Sequence, residues 1–145
     1  MWIRYGLIGL WMLSIFLFSH QPASSSDKQS GFFVAFIEPI TPDADGNLLT
    51  FFVRKSAHFI LYFILGVLVF NALHKTVPSR RKAILISICV VFGYAALDEI
   101  HQLFIPGRSG EVRDVLLDTV AGTIGIGVFA SIQSLRARLA LKRKM

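Results

Sequence analysis

The sequence predicts an all-α membrane protein: four transmembrane helices, both termini in the cytoplasm, and an extracellular interfacial helix between the first two spans. Three observations predict it. Hydrophobic residues fill 54% of the 145 positions and charged residues only 17%, whereas an ordinary soluble domain carries about 25% charged residues. The charges sit in short clusters between apolar runs, and four such runs approach the ~20 residues a helix needs to cross the hydrocarbon core. The runs also lack the alternation of a barrel strand, which leaves helices as the only spanning structure. One domain over 1–145 accounts for a chain of this length. Cys89 is the single cysteine, which excludes a disulfide framework and a cysteine metal site.

The spans are expected at about 5–20, 56–74, 83–103 and 114–134. The first could also be read as a signal peptide, since Arg4 precedes an apolar stretch and Ala23-Ser24-Ser25 has small side chains. The length of the apolar run and Pro22 beside the cleavage position favour a retained span. Between spans one and two, Phe32, Phe33, Phe36, Ile37 and Ile40 recur with helical spacing. Pro39 and Pro42 limit that helix, and it is too short to cross, so it is expected in the outer interface. The third span runs through Asp98 and Glu99, and the fourth is interrupted by Asp118.

The basic residues orient the bundle. Arg4, Lys75, Arg80, Arg81, Lys82, Arg136, Arg138, Lys142, Arg143 and Lys144 fall on one side, ten of the 15 Lys and Arg. That side is cytoplasmic by the positive-inside rule. All 9 carboxylates, including Asp27, Glu38, Asp43, Asp45 and Glu111, fall on the other side or in the outer ends of spans. Basic clusters beside apolar runs anchor to anionic lipid, so the bilayer is the expected partner and nucleic acid is not.

Ionisable residues inside spans cost about 2.5–3.5 kcal/mol each on insertion scales and turn toward protein or a cavity. Lys55, His58 and Tyr62 share one face of the second span, and Asp98, His101 and Gln102 one face of the third. On the fourth, Asp114 and Asp118 lie above Ala121 and Gly125, small residues that let helices approach closely. The topology brings these groups, with Glu99 and Arg108, to one depth at the outer ends of three helices. Such a patch either forms a site or locks the bundle as an interhelical network.

Asp98 and His101, with His58 and Asp118, include nitrogen and oxygen donors suited to zinc. No HExxH or cysteine pair accompanies them, so no metal is expected and no cofactor can be assigned. Ser56 and Ser109 lack the setting of a nucleophile elbow. His20 and His74 read as interfacial polar residues at opposite ends of the membrane. In the Ile105–Glu111 loop, Pro106-Gly107 supplies a turn with a positive φ at glycine, and Ser109 or Gly110 is expected just before the next helix. Arg108 either pairs with Asp98, Glu99 or Glu111, or projects outward to clamp a carboxylate or phosphate.

Several of these residues also form a pattern. Arg54-Lys55-Ser56-Ala57-His58-Phe59 with Tyr62 and Gly66, Asp98-Glu99-Ile100-His101-Gln102, Pro106-Gly107-Arg108, Asp114, Asp118 and Gly122 resemble the VanZ-like family. Ser19 and Pro22 resemble its opening, and the likeness runs from about residue 10 to 130. Many relatives carry Glu before the tyrosine of the second span where this chain has Leu61, so no role of that Glu transfers. The family takes its name from a bacterial membrane protein of low-level teicoplanin resistance. The resemblance therefore implies a bacterial cell-envelope protein acting at the outer leaflet on a glycopeptide or a cell-wall precursor lipid. Two other readings stand beside it: an enzyme on a phosphate-bearing or lipid-linked envelope substrate, with His58 or His101 as general base, and a structural scaffold. Oligomeric state cannot be read from the sequence.

Overall fold

The computed structural model describes residues 2–41 and 45–143; Pro42, Asp43 and Lys144 lie outside them. Five helices follow in order: α1 (Trp2–Ser19), α2 (Ala23–Ile37), α3 (Gly46–Leu73), α4 (Arg80–Gln102) and α5 (Val112–Lys142). A 3-10 turn, Glu38–Ile40, ends α2, and there is no strand among the described residues. Helices α1, α3, α4 and α5 are long and apolar enough to cross a membrane.

Local chemistry places the ends. Pro22 lacks the N–H that would continue α1 and stands before the first residue of α2. Asp45 caps α3 by accepting the Asn47 N–H at 2.9 Å, and Ser79 faces the Lys82 N–H at the start of α4. Helix α3 begins ten residues before the apolar run at 56, because Arg54 and Lys55 find acidic partners and need not leave the helix. Helix α5 continues past 134, carrying Arg136, Arg138 and Lys142 beyond the apolar stretch. Its first residue is Val112, with Glu111 as the capping position rather than Ser109 or Gly110. The Glu111 N–H donates to Glu99 Oε1 at 2.6 Å, so a side chain from α4 does the capping.

The core lies between α3 and α5, with α4 and α1 closing it. Tyr62, Leu65, Val69 and Phe70 of α3 meet Ala121, Ile126 and Ala130 of α5, Val91 and Ala95 of α4, and Ile15 of α1. The α3–α5 approach is close enough that a Cβ at Gly66 would overlap the Gly122 carbonyl, and one at Gly125 the Phe63 carbonyl. Glycine is required there by space, as small residues are wherever lipid-embedded helices meet backbone to backbone.

The polarity runs opposite to that of a soluble protein. Leu85, Phe92, Leu97 and Ile100 of α4 and Leu116, Val120 and Ile124 of α5 are exposed, while Asp98, Glu99, Gln102 and Asp118 are buried. Apolar outside and polar inside is what hydrocarbon solvent selects.

Polar bonds clamp both ends of the bundle. At one end Arg80 donates to Ser134 Oγ and the Ala130 carbonyl, both at 2.6 Å. Removing the guanidinium by Arg80→Ala is expected to loosen α5 from α4. It should lower the detergent melting temperature by a few degrees, corresponding to about 1–2 kcal/mol; an unchanged melt would assign the contact no role in stability.

Candidate functional site

The other end holds the polar residues. Helix α3 supplies Lys55, His58 and Tyr62, the last turn of α4 supplies Asp98, Glu99 and Gln102, and the first turns of α5 supply Asp114 and Asp118. The α4–α5 loop brings Arg108 over them. Gly107, at φ 76°, makes the turn that carries it.

Asp98 and Asp118 occupy the deepest level, 4% and 2% exposed. Asp98 Oδ2 accepts from Ser19 Oγ at 2.8 Å, Tyr62 Oη at 3.3 Å and Gln102 Nε2 at 3.4 Å. His58 Nδ1 stands 3.4 Å from Asp118 Oδ2. The other oxygen of each carboxylate, Asp98 Oδ1 and Asp118 Oδ1, is buried without a hydrogen-bond partner. Above them Lys55 is ion-paired with Asp114 and lies over the Phe51 ring.

Arg108 pairs with none of Asp98, Glu99 or Glu111. It donates through Nε to the Gln21 carbonyl at 3.0 Å and through Nη1 to Gln102 Oε1 at 3.3 Å. The loop is already tied to the α1–α2 corner, where the Ala23 N–H donates to the Pro106 carbonyl at 3.3 Å. With the loop held there, the guanidinium bonds the Gln21 carbonyl and the Gln102 amide rather than a carboxylate. Among the described residues Arg108 makes no ion pair. Burial and the neighbouring Arg54 guanidinium push its pKa below the usual value, so the position disfavours a cation that lacks an anionic partner.

His101 leaves the group. Its Nε2 lies 3.1 Å from His20 Nδ1, and Phe16 packs beside both rings. The i+3 spacing places His101 near Asp98 along the helix, but the rotation of α4 turns it to α1. Glu99 is spent on capping α5. Lys55, His58, Tyr62, Asp98, Gln102, Arg108, Asp114 and Asp118 do meet, alongside residues that sequence reasoning left out of the patch. Ser19 reaches Asp98, and Arg54 pairs with Asp27 at 3.3 Å while lining the cavities. The available signal was depth, since both lie near the same end of the bundle as the patch.

Two cavities adjoin this polar group through His58. A polar one of about 200 Å³ is lined by Arg54, Lys55, His58, Arg108, Ser109 and Asp114, among others. A mainly apolar one of about 360 Å³ runs between α1, α2 and α3 past Phe18, Phe33, Val53, Ile60 and Leu61. Arg54, His58 and Arg108 line both.

Fold and cavities together define a multi-pass helical membrane protein with a buried polar centre at one end of its bundle. The chain belongs to the VanZ/LLP1 family, whose model matches residues 5–133, a range that contains every residue of that centre. No curated protein and no solved structure shows significant similarity to it.

Proposed function

We propose that this VanZ-type protein binds a phosphate-bearing, lipid-linked envelope molecule at the outer leaflet, holding the anionic head in the polar cavity and the chain in the apolar one. The observation that carries the reading is that Arg54, His58 and Arg108 line both cavities. An amphiphile needs that junction. A guanidinium without an ion pair offers bidentate donors to phosphate, and the apolar groove accepts hydrocarbon. Helix α2, with Phe32, Phe33 and Phe36 exposed along it, suits the outer interface beside the groove. Cell-wall precursor lipids have this chemistry, and glycopeptide antibiotics act on such precursors. That connects the site to the teicoplanin phenotype for which the family is named.

The reading is tested by equilibrium binding of a polyprenyl phosphate to purified protein in nanodiscs, against the polyprenol of equal length and phosphatidylglycerol. The phosphate lipid is expected to bind tightest, with Arg108→Gln weakening it at least about tenfold, or 1.4 kcal/mol. Arg108→Lys keeps the charge but loses the fork, and falls between them. Equal affinity for polyprenol would defeat the proposal. Release of inorganic phosphate during the same incubation would make the protein an enzyme rather than a binder. Expression in a Gram-positive host is expected to change teicoplanin susceptibility modestly, and an unchanged inhibitory concentration at verified expression removes the resistance role.

Outward placement requires both termini in the cytoplasm, as the basic residues predict. A reporter fused at Met145 is expected to be active only in its cytoplasmic sense. Activity in the outer sense would turn the cavities to the cytoplasm and overturn the outer-leaflet assignment.

A further inference from the structure

We propose that His58, Asp98 and Asp118 form a binding site for one divalent transition-metal ion of the zinc class. Each residue offers a donor atom, and the three atoms lie within 4.8 Å of one another. They come from three helices, α3, α4 and α5, so the set exists only in the folded bundle.

The second observation concerns the carboxylates themselves. Asp98 and Asp118 are both more than nine-tenths buried, and each keeps one oxygen with no hydrogen-bond partner. Buried polar atoms are partnered in the great majority of cases, and each exception calls for an explanation such as an ion. Charge points the same way. Asp98 receives bonds from a hydroxyl, a phenol and an amide, none of them cationic. Asp118 has only His58. The nearest cations are engaged elsewhere, Lys55 by Asp114 and Arg108 by Gln102 and the Gln21 carbonyl. Two carboxylates in a lipid-embedded bundle therefore face each other across one imidazole, and a dication neutralises both.

Geometry selects the class of ion. Donors bonded tetrahedrally at about 2.1 Å stand about 3.4 Å apart. That matches the 3.4 Å between His58 Nδ1 and Asp118 Oδ2, which is long for a hydrogen bond, and an Asp118 bound through both oxygens also gives the ion its unpartnered Oδ1. The Asp98 donor lies within 4.8 Å of both, and a side-chain rotation completes the set. One imidazole with two carboxylates suits zinc or its neighbours, whereas calcium takes six to eight oxygens and magnesium holds several waters. Ser19, Tyr62 and Gln102 orient the Asp98 ligand from behind, as outer-shell partners do. Three protein ligands leave a fourth position, and His58, one of the three, also lines the polar cavity. The proposal does not depend on the lipid reading, since binding of the ion is measured without lipid ligand.

The test uses the full chain, purified in detergent with a tag free of histidine and stripped with chelator. Titration with Co²⁺ is expected to give visible absorption bands saturating at one equivalent, displaced by Zn²⁺. His58→Gln, Asp98→Asn and Asp118→Asn, each judged folded by gel filtration, should weaken binding at least about tenfold. The exposed pair His20–His101 is the competing location, and the double variant His20→Gln/His101→Gln should bind like wild type. A wild-type protein with neither cobalt bands nor stoichiometric zinc would show that the centre holds a proton instead, and would overturn the proposal without needing any variant. Undiminished binding in folded Asp118→Asn, or its loss in the His20/His101 double variant, would also overturn it. Metal binding without lipid binding would leave this site standing while removing the proposed function.

Discussion

Replacing Gly125 with leucine is expected to remove most of the folded protein from the membrane, while leucine at Gly127, two residues along the same helix, is tolerated. A Cβ at Gly125 would fall on the Phe63 carbonyl of α3, which is backbone and cannot rotate aside. A Cβ at Gly127 meets nothing within 4 Å and points out of the bundle. Accommodating leucine at Gly125 requires α3 and α5 to separate along the seam that also holds Gly66 and Gly122. Overpacking of this kind costs about 1–3 kcal/mol and occasionally more, and loss of a backbone-to-backbone seam belongs at the upper end. Both variants have nearly the same hydropathy, so membrane insertion does not separate them. Detergent-solubilised protein measured by gel filtration and thermal melting checks the result. Equal melting temperatures for Gly125→Leu and Gly127→Leu would deny the α3–α5 seam its role.

The second large effect contrasts two aspartates of the same end. Asp98→Asn is expected to accumulate and melt like wild type yet lose ligand binding about tenfold, whereas Asp114→Asn should be destabilised. Asp98 faces no cationic partner, so neutralising it strands no charge, and asparagine keeps an oxygen for Ser19 and Tyr62. What it disturbs is orientation. Asp98 accepts from the Gln102 amide, whose oxygen in turn accepts from Arg108, so the guanidinium is aimed through that chain. Asp114 is different because its loss leaves the Lys55 ammonium without its partner at a site where both side chains are under 20% exposed. Stranding a fully buried charge costs about 3–5 kcal/mol; with this residual exposure roughly 1–3 kcal/mol is expected. Melting curves and polyprenyl phosphate binding, measured side by side, separate the two roles. Early melting of Asp98→Asn, with binding lost only in proportion to folded protein, would make the polar group a lock for the helices.

Much of this was legible in the sequence, and the limits have physical causes. The apolar runs located four helices because lipid rejects charge over a fixed thickness, but they do not mark the helix ends. Apolarity reports the solvent around a segment, whereas helicity continues wherever backbone groups stay paired. Thus α3 starts at Gly46, under an Asp45 cap, and α5 runs to Lys142. Helical period likewise grouped Lys55, His58 and Tyr62, and it set Gln102 one turn above Asp98, because residues three and four apart share a face. Those relations are local, and the local chain determines them.

The relations between helices were not local. Nothing in the spacing of Asp98 and His101 tells which of them points inward. The structure turns Asp98 to Ser19 and Tyr62 and sends His101 to His20. Nor does the loop sequence show that Arg108 would be drawn to the Gln21 carbonyl rather than to an acid. Each outcome depends on how far a helix is rotated about its axis, which is set by side-chain shape at distant positions. Here Gly66, Gly122 and Gly125 allow α3 and α5 to touch along their backbones, and that contact sets the rotation that carries His58 to Asp118. Composition and period, read along one chain, determined the solvent of this protein and the faces of its helices. Only packing between helices, which no single segment encodes, decided which polar groups meet and which two carboxylate oxygens are left without a partner.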